Sequence, residues 1–390
     1  VEASIFIKNA IIFLENGEEV NGGLWLEAGK IKSILPGKDL PTQLPESVQI
    51  MDAANLKAIP GFIDGHIHGA NGADTMDATE EALNAVASLL PEEGTTSFLA
   101  TTITQSHENI DKALINVANY KNKRGKAEMI GVHLEGPFVE KSKAGAQPLA
   151  YIKKPDLDQF NKWQEISGSH IRTITMAPEH DKDGSFIGAL SENGINVSAG
   201  HTDAGFAGIK KAVEQGVAQL THLCNAMNGI HHRDIGAVGA AFQLKNLSAE
   251  LIADGIHVVP EMLQLIYNNI GSDRLILITD AMRAKGLPAG DYELGGQPVK
   301  VTEDRAVLED GTLAGSILKM IDGARMMINL DGVTLQDVIK MASVNPAKQI
   351  GVYDRKGSIA EGKDADILLV DNDFNIQYTI CRGEIAFKGE

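Results

Sequence analysis

Ile59-Pro-Gly-Phe-Ile-Asp-Gly-His66-Ile-His68 reads as a short apolar strand that runs into two histidines. On an extended chain alternate side chains share a face, so Asp64, His66 and His68 align. Outward from this stretch the same rhythm returns. Apolar or mixed runs at Ile59–Gly65, Thr96–Thr101, Met129–Leu134, Arg172–Ala177, Asn196–Gly200, Gln219–His222, Ala249–Ala253 and Leu275–Thr279 give eight expected strands. Helix-like stretches lie between them, among them Thr79–Glu93, Glu108–Tyr120, Asp203–Gln215 and Pro260–Asn269. Strands that alternate with helices pair in parallel. Eight repeats imply closure into a (β/α)8 barrel, the TIM-barrel architecture of the α/β class.

The two ends of the chain have another texture. Short strands separated by Gly and Asn turns are expected at Ser4–Leu14, Gly23–Glu27, Lys30–Leu35 and Val48–Met51, and again at Ala365–Val370, Ile376–Cys381 and Ile385–Lys388. Residues 1–56 and 357–390 are therefore read as the two parts of a small β-sandwich formed by both termini, around a catalytic barrel at 57–356. After the eighth strand, Asp291–Asp310 carries a Gly295-Gly296 turn and reads as a hairpin. Two closing helices are expected at Ala314–Ile328 and Leu335–Ile350. The second has Thr334 and Asp337 in capping-box spacing and ends at Gly351.

The chain has 390 residues, 43% of them hydrophobic and 22% charged, which is ample for a large core. With 35 basic against 52 acidic side chains its formal charge is −17. That field repels nucleic acid, and an anionic substrate would need a local cationic pocket. Two cysteines, Cys224 and Cys381, build no disulfide framework and point to a reducing compartment. The N-terminal segment shows neither a basic region nor a long apolar run, so no signal peptide is expected. No membrane-spanning stretch is expected either, and the expected location is the cytoplasm.

The chemistry concentrates where the expected strands end. His66 and His68 lie at the end of strand one, Glu135 at the end of strand three, His201 of five, His222 of six and Asp280 of eight. A closed barrel crowds these ends onto one face, where this fold places its catalytic groups. Imidazole and carboxylate ligands suit Zn²⁺ or Fe²⁺ better than Mg²⁺ or Ca²⁺, which prefer oxygen. Asp280 is read as a ligand at the edge of that site and as the acid/base that takes a proton from water and returns it to a leaving group. His107, His170 and His180 fall away from strand ends and receive no role, and His133 is expected to pack behind the ligands.

The motifs resemble one family in particular. Pro60-Gly-Phe-Ile-Asp-Gly-His-Ile-His-Gly69, His133-Leu-Glu-Gly-Pro-Phe138, Ala199-Gly-His-Thr-Asp203, Thr221-His-Leu-Cys-Asn-Ala-Met227, Leu313-Ala-Gly-Ser316 and Asn345-Pro-Ala347 are similar to those of the N-acetylglucosamine-6-phosphate deacetylases, within the amidohydrolase superfamily. The resemblance covers essentially the whole chain. It implies deacetylation of N-acetylglucosamine 6-phosphate, with Glu135, His201 and His222 as principal metal ligands and Asp280 as acid/base. Because His66 and His68 are both present, it implies two divalent ions per subunit bridged by Glu135. Ala146, Gln147, Asn225, Ala226, His257 and Leu313 are carried over as substrate contacts. Gln147 stands where many relatives have a histidine near the sugar. The family is commonly dimeric, so a homodimer is implied.

A phosphate needs a partner, and no Gly-rich phosphate loop of the Gly-x₄-Gly-Lys-Ser/Thr type is present. The candidate is Arg233, in Gly229-Ile-His-His-Arg233-Asp-Ile-Gly236, whose planar fork suits phosphate oxygens. Two other readings stand beside this one. One is an amidohydrolase of the dihydroorotase type, acting on a cyclic amide, which usually needs a carboxylated lysine. The other is a barrel scaffold that has lost its metal, which should show gaps in the ligand set.

Overall fold

The computed structural model describes residues 4–389. Phe62–Ile67, Thr95–Thr101, Glu128–Glu135, Ile171–Met176, Asn196–Ala199, Val217–Leu220, Ser248–Ile252 and Leu275–Ile278 are neighbours in that order, all parallel. They are buried almost throughout, as strands covered by helices outside and by each other inside must be. The seam between the eighth and first strands closes just beyond the end of the eighth, at Thr279–Ala281. Asp280 N donates to His66 O at 2.8 Å, Ile67 bridges Ala281, and Thr279 Oγ1 donates to Asp64 Oδ2 at 2.5 Å. Barrel closure and the histidine pair thus share one place.

The outer helices form where amphipathic periodicity and caps coincide. Thr79 caps Glu80–Leu89 by accepting from Ala82 N, and Ser106 caps His107–Asn119 by accepting from Asn109 N. Leu83 and Val86 on the first, Ile110 and Leu114 on the second, pack against the barrel. Each such fully buried side chain contributes roughly 1.5–3 kcal/mol of transfer free energy. Among the described residues no helix is long and apolar enough to cross a membrane.

Both termini build one separate eight-stranded sheet. Glu384–Lys388, Ile376–Cys381, Ile367–Val370, Lys57–Pro60, Ser4–Phe13, Glu19–Glu27 and Lys30–Pro36 are consecutive neighbours, with Val48–Asp52 also on Ser4–Phe13. The two ends meet where Lys57–Pro60 pairs antiparallel with Ile367–Val370. Ile5, Ile7, Ile12, Leu24, Leu26, Ile367 and Leu369 form its own core. Lys57–Pro60 lies past the expected boundary at 56/57, and the strand expected at Ile59–Gly65 is split at Gly61. The reason is packing. Gly61 N donates to Asp366 O at 2.9 Å, and a Cβ at Gly61 would lie 2.2 Å from Thr96 Oγ1.

Two expected helices are corrected. Ala314–Ile328 is helical only from Met320 to Ile328. Ser316 bridges Ala281, its hydroxyl donates to Thr279 O at 2.5 Å, and Gly315 takes φ +62°, so this segment extends the barrel seam instead. Leu335–Ile350 breaks into Leu335–Ile339, a wide π turn at Lys340–Val344 and Asn345–Gln349. Pro346 has no N–H to give to the preceding turn, and a widened turn accommodates it. The hairpin forms as Gly290–Leu294 and Gln297–Val301, with both turn glycines at positive φ. A third short strand, Ala306–Val307, joins it.

Candidate metal centre

Three of the six expected ligands sit just past strand ends in left-handed backbone. His201, His222 and Asp280 have φ of +46°, +30° and +49°. Such conformations cost non-glycine residues on the order of 1–3 kcal/mol each and persist only where surroundings enforce them. Here backbone bonds do so. Glu140 N donates to His201 O at 2.9 Å, Asn225 N to His222 O at 2.9 Å, and Ser316 N to Asp280 O at 2.8 Å. The turn throws each side chain off the strand's path and into the barrel mouth. Glu135 is the last residue of the third strand, His66 lies in the first, and His68 follows it.

All six meet. Glu135 Oε1 lies 3.2 Å from His201 Nε2, 3.4 Å from His222 Nε2 and 3.4 Å from His66 Nε2. Its other oxygen is 3.1 Å from His68 Nε2. Asp280 Oδ1 lies 3.3 Å from His66 Nε2 and 3.2 Å from His68 Nε2. Two ligand groups result, Glu135–His201–His222 and His66–His68–Asp280, with Glu135 reaching both.

Lone-pair geometry tests whether a cation fits. His201 Nδ1 donates to Lys143 O at 2.8 Å and His222 Nδ1 to Asn225 O at 3.2 Å. Carbonyls only accept, so both rings carry their proton on Nδ1. Their Nε2 atoms, 3.1 Å apart, then turn lone pairs toward each other and toward Glu135 Oε1. Three converging lone pairs need a positive charge among them. In the second group, His66 Nε2 and Asp280 Oδ1 are buried without a hydrogen bond. The residues present fit divalent metal at both positions.

The electrostatics agree. Burial alone would raise the Asp280 carboxyl, but the His66 and His68 imidazoles outweigh it and hold the group at about 2. Glu135 is likewise driven well below the carboxylate range, burial being overcome by His66, His201 and His222. Burial opposes charge on His68, yet Asp280 and Glu135 raise it to about 10. Where no metal is bound, protons supply the cationic charge that these carboxylates demand.

A cavity of about 360 Å³ opens over the centre. Ala146, Gln147, Asn225, Ala226, His257 and Leu313 line it together with His68, Glu135, His201, His222 and Asp280. His257 is fixed by Asp254, 2.6 Å from its Nδ1. Gln147 is held differently from what its cavity position suggests. Its Nε2 donates to Glu135 Oε2 at 2.8 Å and its Oε1 accepts from Thr104 N at 2.9 Å, so its amide braces the ligand carboxylate. Arg233 does not line this cavity. It is exposed on the loop after the sixth strand, its Nη1 2.6 Å from His232 Nε2.

Sequence reasoning missed two residues. Among the described residues Lys143 is the one lysine or arginine that lines the cavity, yet in sequence it is one lysine of a polar loop. Glu250 is buried inside the barrel against His66. A glutamate flanked by Ala249 and Leu251 in an apolar strand was the available signal. His133 packs behind the ligands as expected, 4.4 Å from the His66 ring centroid, with both nitrogens bonded, to Gly65 O and Thr175 Oγ1.

Comparison with known proteins gives the family. The profile of the Amidohydrolase family matches residues 58–386. The chain belongs to the amidohydrolase family. Within that family, a Bacillus subtilis (strain 168) protein named N-acetylglucosamine-6-phosphate deacetylase is 47% identical over 388 residues, covering 98% of this chain and 97% of its own. An Escherichia coli O157:H7 relative named N-acetylgalactosamine-6-phosphate deacetylase is 35% identical, covering 88% of this chain and 90% of its own. The crystal structure of the N-acetylglucosamine-6-phosphate deacetylase from Thermotoga maritima superposes with a TM-score of 0.87 at 33% identity, covering 98% of this chain and all of that one.

Proposed function

We propose that this amidohydrolase deacetylates N-acetylglucosamine 6-phosphate to glucosamine 6-phosphate and acetate. The observation that carries the reading is an intact ligand and acid/base set converging on one cavity, in a chain 47% identical over nearly its full length to a protein named for that reaction. A dihydroorotase-like activity is not favoured, because Glu135 holds the place between the two ligand groups and no lysine does. Nor is a scaffold, because no ligand is lacking.

In this reading Glu135, His201 and His222 would hold one divalent ion, and His66, His68 and Asp280 would hold a second. Zn²⁺ and Fe²⁺ both suit these donors. Such an ion supplies Lewis acidity, polarising an amide carbonyl and making water more acidic near neutral pH. The chain's own residues do the rest. Asp280, ionised at neutral pH, accepts the proton of the attacking water and delivers it to the departing amine. Gln147 keeps the Glu135 carboxylate in one orientation. Ala146, Asn225, Ala226 and Leu313 shape the sugar's seat, and His257 is oriented toward it by Asp254.

The phosphate is assigned to the Arg233 loop. The loop is exposed and lies outside the chain's own cavity, so the assignment goes with a homodimer in which a partner subunit brings its loop to the cavity mouth. Two free cysteines, one of them buried, support a reducing location, the cytoplasm. The test is acetate release from N-acetylglucosamine 6-phosphate set beside the unphosphorylated sugar. A preference of about a hundredfold or more in kcat/KM is expected, since charge-assisted contacts contribute about 1.5–3 kcal/mol each and a phosphate takes more than one. Equal turnover would overturn the phosphate assignment. Arg233→Ala should raise KM, and an unchanged KM would move the phosphate partner to Lys143.

A further inference from the structure

The four metal-facing histidines differ in what lies behind the ring. His201 and His222 are held by the backbone carbonyls of Lys143 and Asn225. His68 Nδ1 has no hydrogen-bond partner. His66 alone is backed by a charged side chain, its Nδ1 donating to Glu250 Oε2 at 3.0 Å. Glu250 comes from the seventh strand and is 2% exposed. The same oxygen accepts from the backbone N–H of His222 at 3.2 Å, the residue held at φ +30°. Its other oxygen accepts from Gln219 Nε2 at 2.8 Å. Gln219 is oriented in turn by Asn196 at 3.1 Å, and Asn196 by Gln349 at 2.7 Å. One carboxylate therefore touches the side chain of a ligand in one group and the backbone of a ligand in the other.

We infer that Glu250 is the positioning residue that keeps the second metal position formed. It fixes His66 with the proton on Nδ1 and Nε2 free toward Glu135 and Asp280, and its negative charge makes that ring a stronger donor. The inference rests on the two-ion reading above. Glu250, His66 and His133 also lie close enough together to suggest a third metal position. The hydrogen bonds argue against it, because both His133 nitrogens are already engaged.

The test is Zn²⁺ stoichiometry and affinity in the full chain, by metal analysis after dialysis against a weak chelator. Wild type should retain two ions per chain and Glu250→Gln one, with the second bound about 10–100-fold more weakly. In a His66→Gln background, Glu250→Gln should add no further loss of Zn²⁺ or of kcat, because it acts through that ring. Glu250→Asp keeps the charge but withdraws it by one carbon. It should weaken the second ion in the same direction to a smaller extent, and it decides the matter if the glutamine variant does not fold. Two ions in wild type and two, equally tight, in Glu250→Gln would overturn the inference alone. A single ion in wild type would overturn the two-ion reading and this inference with it. Additive losses in the double variant would show that Glu250 does not act through His66.

Discussion

Asp280 carries the heaviest chemical assignment, and its geometry makes a separable prediction. Its carboxylate edges one ligand group, while Glu135, His201 and His222 form the other without it. Asp280→Asn should therefore keep at least one bound ion and lose about 10²–10⁴-fold in kcat, the usual contribution of a positioned acid/base. Metal analysis and steady-state rates on one preparation decide it, and near-wild-type turnover would remove Asp280 from proton transfer. His68 predicts a pH dependence. Its folded pKa, raised to about 10, means that apoprotein near neutral pH holds a proton there which metal must displace. Zn²⁺ affinity should rise as pH increases toward that value. Calorimetry in buffers of different ionisation enthalpy should show proton release on binding, and none would contradict the assignment. At this scale much was legible. That six candidate ligands would converge was readable, because each lies at or just past a strand end and a barrel gathers strand ends. Glu250 was not, since an acid in an apolar run gives no sign of which ring it backs. Nor was the bracing of Glu135 by Gln147, which depends on a contact 12 residues away across a loop.

The seam between first and eighth strands is the element on which the site depends. Asp64 accepts from Thr279 Oγ1 at 2.5 Å, from His66 N at 3.2 Å and from Thr279 N at 3.3 Å. Asp64→Ala leaves these buried donors without their partner, at about 1–3 kcal/mol for each group left unsatisfied. Urea unfolding should show that loss, and the variant should also bind metal more weakly because His66 and Asp280 flank the seam. Unchanged stability would mean that closure rests elsewhere. Sequence periodicity located all eight strands because each is a short apolar or mixed run that alternates with a helix-like stretch. It missed the course of residues 314–319, although Gly315 and Ser316 are weak helix formers. The competing partner, Ala281, lies 35 residues before Ser316 and is visible only once the barrel has closed.

The two sheet systems are locked together at the barrel's opposite end. Lys356, only 1% exposed, lies 2.7 Å from Glu128 Oε2 at the start of the third barrel strand. It lies 3.1 and 2.5 Å from Asp364 and Asp366, which lead into the terminal sheet. Arg355 and Lys30 complete the cluster. Lys356→Met would strand buried carboxylates at roughly 3–5 kcal/mol, read as a fall in Tm. Burial opposes ionisation of Glu128 and Asp364, but Lys356 and its cationic neighbours hold both below the ordinary carboxylate range. Their contribution is therefore present above about pH 4, the unfolded value, and lost as pH falls through the lower folded values. Wild type should lose Tm on acidification below about pH 4 more steeply than Lys356→Met does; parallel curves would contradict the network. That the chain's ends build one sheet followed from their shared strand-and-turn texture. The ionic lock did not, because Arg355 and Glu128 lie 227 residues apart in sequence.

The chemistry of the chain rests on a metal-dependent hydrolase centre at the barrel mouth. The most direct test is acetate release from N-acetylglucosamine 6-phosphate by the full chain, before chelation, after it, and after restoring Zn²⁺ or Fe²⁺. Loss of turnover on chelation and its return with the ion is the predicted result. Full turnover by protein shown to be metal-free would contradict it.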